Sequence, residues 1–174
     1  FVRFDIFRDR NYLGSCFFMI VLGMTLFGTM ALVTPFMQNV MGYPVLTAGN
    51  LLSSRGAGTL IAMLTVTRLM KFTPPRYLVM AGLLLTAFTL WQMSGFTDET
   101  QASTIVYCAL MQGYGLGLLF IPLNTVAFAT LPGHLRTDGT AILTLLRNLG
   151  SSVGISIMIA NLTSKTSVMH ERLM

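Results

Sequence analysis

The chain has 174 residues, of which 53% are hydrophobic and only 10% are charged. A soluble domain carries about 25% charged residues, so these charges are too few to cover the surface of a globule in water. The net charge is +5, but no basic stripe with interleaved aromatic residues accompanies it, so we expect no nucleic-acid partner. The composition instead predicts repeated membrane spans joined by short charged connections.

Five apolar runs are long enough to cross a bilayer as helices, which takes roughly 20 residues each. The first contains no charged residue, the second is interrupted by Arg55, and the fifth contains Arg147. The fourth is long and carries Pro122 in its interior. The sequence therefore predicts an all-α membrane protein with spans over residues 13–36, 48–67, 77–96, 103–131 and 139–162.

The basic residues of the connections predict the direction of each span. They lie before the first span, between the second and third, and between the fourth and fifth: Arg3, Arg8, Arg10, Arg68, Lys71, Arg76 and Arg136. The connections 38–47 and 97–102 contain no Lys or Arg. Because short loops rich in Lys and Arg stay in the cytoplasm, residue 1 is predicted on the cytoplasmic side and residue 174 on the extracytoplasmic side.

The sequence contains no evident constellation for catalysis or metal binding, so we expect no enzymatic activity. His134 and His170 are placed in a connection and in the tail, and no acidic residue falls within a predicted span. Cys16 and Cys108 lack metal-ligand spacing and are interpreted as small hydrophobic residues in helices.

Two arginines lie at membrane depth, where each costs roughly 3 kcal/mol on insertion scales. Arg55 could face a cavity or a partner, or its side chain could extend to the outer membrane surface. Arg147, which Asn148 follows, could contact an anionic substrate group or an acidic partner. It could equally bond to a helix end on the cytoplasmic side. Both interpretations of each arginine remain open from the sequence.

Glycine spacing in the last two spans predicts close helix contacts or flexible helices. A spacing of four residues, which lets helices approach closely, separates Gly113 from Gly117 and Gly150 from Gly154. Pro122 removes one backbone hydrogen bond and should bend the fourth helix. The candidate positions for gating or static packing are Gly113, Gly115, Gly117, Pro122, Gly150 and Gly154.

Polar side chains on the apolar spans are weaker candidates for a substrate path. Thr25, Thr29, Thr34 and Gln38 follow one another along one side of the first predicted helix. They could line an aqueous path or bond across to a neighbouring helix. Asn124, two residues after Pro122 in the fourth span, is a further candidate.

Four stretches of the chain together resemble a known transporter family. They are FRDRN at 7–11, GYPVLTAG at 42–49, GYGLGLLFIP at 113–122, and LRTDGTA at 135–141 running on to LRNLGSSVG at 146–154. In this order they resemble the fourteen-helix drug–proton antiporter branch (EmrB/QacA type) of the major facilitator superfamily.

The resemblance implies that the chain, over residues 1–174, is most of a carboxy-terminal bundle, with the ninth to thirteenth of fourteen helices. It implies efflux of hydrophobic or cationic drugs by alternating access in the bacterial inner membrane, driven by the proton gradient without a cofactor. The implied partners are the lipid bilayer, amphiphilic small-molecule substrates, the amino-terminal bundle, the last helix and, in some bacteria, a periplasmic adaptor protein. A carrier for a specific metabolite or lipid, and a non-transporting membrane scaffold subunit, remain alternatives.

Overall fold

Five long helices make up most of the computed structural model, which describes residues 9–97, 99–129 and 131–173, without the side chains of residues 134 and 164–173. The helices are α1 (Arg10–Asn39), α2 (Val45–Leu69), α3 (Pro75–Ser94), α4 (Ala102–Ala129) and α5 (Arg136–Leu173). A single 3-10 turn, Gly133–Leu135, precedes α5. No strand occurs in the described ranges, and the all-α prediction is confirmed.

Four of the five helices have the length and hydropathy of membrane spans, namely Arg10–Asn39, Pro75–Ser94, Ala102–Ala129 and Arg136–Thr163. With 25 residues, α2 would measure about 37 Å, which is long enough to cross. It is absent from the four because Asn50, Arg55 and several Ser and Thr residues lower its hydropathy. Its role as a crossing helix stays a prediction that rests on the charges of the connections.

Each observed helix begins a few residues before its predicted span, and two predicted spans run past the end of their helix. The third span was extended to residue 96, but α3 ends at Ser94 and is capped by Gly95. The fourth was extended to residue 131, but α4 ends at Ala129, because Pro132 disfavours helical backbone just before it. The helix of the fifth span continues beyond residue 162 to Leu173, so residue 170 of the tail lies in α5. The length of an apolar run therefore predicts the part of a helix that lies in the membrane and not the length of the whole helix.

The central helix of the bundle is α4, which packs extensively against both α2 and α3. The α1 helix packs against α5 and, less extensively, against α4, and it makes few contacts with α2. The Tyr12 hydroxyl donates a 2.8 Å hydrogen bond to the Gly139 carbonyl, which joins the first turns of α1 and α5. The helices therefore form two closely packed groups, α2–α3–α4 and α1–α5, that meet along α4.

Large apolar side chains cover the outside of the bundle. Leu64 on α2, Leu84 and Trp91 on α3, and Leu145 on α5 are each more than half exposed. Water-facing surfaces of monomeric soluble proteins rarely carry contiguous apolar patches on this scale. Their exposure agrees with a multi-pass membrane protein whose outer surface contacts lipid.

Candidate functional site

A network of three hydrogen-bonded polar side chains crosses the apolar interior from α2 through α4 to α1. Arg55 lies on the face of α2 that packs against α4, and only 5% of it is exposed. Its Nη2 atom donates a hydrogen bond to Oε1 of Gln112 on α4. The Nε2 atom of Gln112 in turn donates to Oγ1 of Thr29 on α1 at 3.3 Å. We call Arg55, Gln112 and Thr29 the polar network.

The burial of Arg55 decides between its two interpretations. The guanidinium turns into the bundle instead of extending to the membrane surface. Its Nε and Nη1 atoms are buried and have no hydrogen-bond partner among the described residues. Gln112 is a neutral amide, so the acceptor that the bundle supplies to Arg55 carries no counter-charge.

Gln112 is the member of the polar network that the sequence analysis did not identify. It is completely buried and contacts both other members. Its position in the fourth apolar run was the one indication in the sequence, because an amide inside a membrane span must find hydrogen-bond partners where water is absent. The partners themselves could not be read from the sequence, since they lie 57 and 83 residues away along the chain.

Close contact between α2 and α4 places Arg55 beside Gln112. A Cβ atom added to Gly113 would overlap the backbone of Arg55, and one added to Gly58 would overlap the carbonyl group of Leu110. The two helices therefore touch backbone to backbone at this level. Gln112, the neighbour of Gly113, comes within reach of the guanidinium for this reason.

The other candidate glycines also lie where helices meet. Gly117 faces Ala62 on α2, whereas Gly115 faces Thr86 on α3. Gly150 and Gly154 lie against the backbone of α1 at Ile20 and Met24. Pro122 is buried within α4. The structure places all six candidates in the interior of the bundle, and a gating role for them stays a prediction.

The polar residues of α1 separate into different environments. Thr25 donates to the Val21 carbonyl of its own helix at 2.8 Å and lines an apolar cavity of about 160 Å³ between α1, α3 and α4. Thr29 lines a wider cleft of about 540 Å³ and also bonds across to α4. Thr34 and Gln38, nearer the end of α1, are partly buried.

Arg147 lies against an aromatic ring instead of a helix end. Its Cζ atom is 5.8 Å from the centre of the Phe120 ring on α4, within the range of a cation–π contact. Asn124 donates to the Phe120 carbonyl at 2.7 Å, so Phe120 contacts both Arg147 and Asn124. Asn148 is exposed. Within the described ranges, Arg147 makes no hydrogen bond to a helix end, and its buried Nε is unpaired.

Comparison with known proteins identifies the family. The profile of the Major Facilitator Superfamily matches residues 2–155, which is most of the chain. The chain belongs to this superfamily. Its members are transporters rather than enzymes, and the described residues contain no cluster of His, Cys, Asp and Glu that could hold a metal ion.

Individual relatives place the chain in the EmrB-type branch. It is 25% identical over 175 residues to the multidrug export protein EmrB of Escherichia coli K12, which covers 99% of the chain. It is 28% identical over 173 residues, 98% of the chain, to an uncharacterised MFS-type transporter, YhcA, of Bacillus subtilis. It is 26% identical over 171 residues, 97% of the chain, to the fatty acid resistance protein FarB of Neisseria gonorrhoeae. The chain spans about a third of each of these relatives, 34%, 31% and 33% respectively.

Proposed function

We propose that the chain is part of a proton-coupled exporter that removes hydrophobic and amphiphilic compounds from the cell by alternating access. The similarity to a multidrug export protein over 99% of the chain carries this proposal. In alternating access, this bundle would move against a second bundle elsewhere in the whole protein. In the same proposal the protein lies in the bacterial inner membrane, where a periplasmic adaptor could extend the export route.

Proton coupling requires groups that bind and release a proton during transport. Transporters use carboxylates or histidines within the membrane for this purpose. The six acidic residues of this chain lie outside the predicted spans, at Asp5, Asp9, Asp98, Glu99, Asp138 and Glu171. The proposal therefore assigns the proton-carrying groups to other parts of the whole protein.

Dye accumulation in cells tests the proposed export. The whole protein is expressed in a bacterial strain that lacks its own exporters, and ethidium fluorescence is followed over time. We expect lower accumulation than with an empty vector, and a protonophore should abolish the difference by collapsing the gradient. Immunoblots of the membranes confirm equal expression. Unchanged accumulation across a broad panel of dyes and drugs would contradict drug export.

A carrier for a lipid-like compound is the second candidate, favoured by the similarity to a protein named for fatty acid resistance. Reconstituted whole protein would then move laurate across a vesicle membrane, and laurate would compete with any dye. Transport of laurate without transport of any dye would favour the specific carrier. Transport of dyes that laurate does not slow would argue against it.

A further inference from the structure

Arg55 is a buried cation that makes no ion pair with any acidic side chain among the described residues. In the sequence the acidic residues all fall outside the predicted spans, and no acidic side chain among the described residues bonds to Arg55. In the described interior the guanidinium bonds to the Gln112 amide, and two of its nitrogens remain unpaired. An unpaired charge in a low-dielectric interior is strongly unfavourable, so it is retained where an anion compensates it.

Gln112 holds this cation in place without neutralising it. Its Oε1 atom accepts from Arg55 and its Nε2 atom donates to Thr29. The reversed amide would turn its NH₂ group toward the guanidinium, and two donors cannot bond each other. The amide orientation is thus fixed by both neighbours. Neither a carboxylate nor an apolar side chain at this position could both accept from Arg55 and donate to Thr29.

We propose that Arg55 is the cationic half of an anion site, that Gln112 positions it, and that the anion is a carboxylate from outside this chain. A guanidinium with free N–H donors suits a carboxylate because charge-assisted hydrogen bonds form between them. The carboxylate belongs either to an acidic side chain elsewhere in the whole protein or to an anionic amphiphile in transit. The second source rests on the proposed export function, whereas the first does not.

The side of Arg55 that faces α1 is the one from which we expect a carboxylate to approach. The α1 and α2 helices make few contacts with each other. The Gln112–Thr29 bond, at 3.3 Å, is longer than most hydrogen bonds of its type. We expect a small displacement of α1 to break this bond and to admit a carboxylate between α1 and α2.

The variant Gln112→Glu tests the anion site by placing a carboxylate against Arg55 within the chain. We expect the melting temperature of the whole protein to stay the same or rise, because the new ion pair neutralises the buried charge. Transport should fall about tenfold or more, because the outside carboxylate has lost its partner. The control is Gln92→Glu on α3, which adds the same charge at an exposed glutamine that accepts from Cys108 rather than from an arginine. Normal transport by a normally folded Gln112→Glu protein overturns the proposal.

A double variant, Arg55→Met with Gln112→Met, keeps the test decisive if Gln112→Glu fails to fold. Without an outside carboxylate, replacing a buried polar pair with apolar residues of similar shape leaves stability unchanged or raised. With an acidic partner in the whole protein, the melting temperature falls by several degrees, because that carboxylate is left unpaired. This measurement holds even if the whole protein exports nothing.

Two transport probes distinguish the sources of the carboxylate in the same double variant. If the carboxylate is on the substrate, laurate transport is lost, ethidium transport persists and the melting temperature is unchanged or raised. If it is on the protein, both probes are affected equally and the melting temperature falls. Normal transport of both probes at an unchanged or raised melting temperature overturns the proposal. If the unaltered protein transports neither probe, the proposed function fails and the melting temperature alone decides the anion site.

Discussion

Two threonines one helical turn apart show how the neighbourhood of a residue decides its role. Thr25 and Thr29 both bond to the backbone of their own helix, as Thr commonly does in membrane spans. Thr29 additionally accepts from Gln112 on α4, whereas Thr25 lines an apolar cavity. The Thr25 hydroxyl therefore bonds only within its own helix, whereas the Thr29 hydroxyl also links α1 to α4.

Replacing each threonine with valine separates these roles, because the shape is kept and the hydroxyl is removed. We expect Thr29→Val to destabilise the protein by about 1 kcal/mol, the usual range for one interhelical hydrogen bond in a membrane protein. Thr25→Val should have a smaller effect. Unfolding can be followed with a thiol-reactive dye, since Cys16 and Cys108 are both buried in the folded protein. Equal shifts in the two variants would show that the Gln112 bond contributes nothing.

At the scale of the helices, glycine positions determine which neighbours α4 meets. Residues two apart on a helix point about 200° apart. Gly113 and Gly117 accordingly face α2, while Gly115 faces α3. Without a driving force from water inside lipid, such close packing is a main source of helix association. The central position of α4 thus follows from small residues on two opposite faces.

Two glycines on α2 provide a matched test of this packing. A Cβ atom at Gly58 would overlap the carbonyl group of Leu110, whereas a Cβ atom at Gly56 meets nothing within 4 Å. We expect Gly58→Ala to destabilise the protein by about 1–3 kcal/mol, as overpacking does. Gly56→Ala should be neutral or stabilising by up to about 1 kcal/mol, because alanine favours helix. Equal melting temperatures for the two variants would contradict backbone contact between α2 and α4.

At the scale of the whole molecule, α2 is less apolar than the four helices with the hydropathy of membrane spans, and it is also the helix that carries the buried cation. The polar residues of α2 include Ser54, Arg55 and Thr59, which all bond to α4. Facing a protein neighbour rather than lipid, they lower the mean hydropathy without exposing polar groups to hydrocarbon. Low hydropathy is therefore compatible with a crossing helix in this bundle.

Cysteine labelling determines whether α2 crosses the membrane and which way the chain is oriented. Val40, just after α1, and Phe72, just after α2, are both exposed. We expect an impermeant maleimide to label Val40→Cys in right-side-out vesicles and Phe72→Cys only in inverted vesicles. The reason for this expectation is the positive charges near Phe72, since short loops rich in Lys and Arg stay on the cytoplasmic side. The unaltered protein, with both cysteines buried, is the control, and labelling of both variants from one side would refute a crossing α2.

The sequence by itself determined the all-α class and the number of long helices, because membrane depth imposes long apolar runs and short connections. Four of its stretches also resemble the transporter superfamily to which the chain belongs. The sequence also marked Arg55 and Thr29 as unusual, since polar groups in such runs are rare. Only the tertiary structure decided that Arg55 turns inward, that Gln112 joins it to α1 and that Arg147 meets Phe120. In a membrane bundle the lipid-facing and interior sides of a helix are equally apolar, so the pattern along the chain does not reveal which side faces a neighbour.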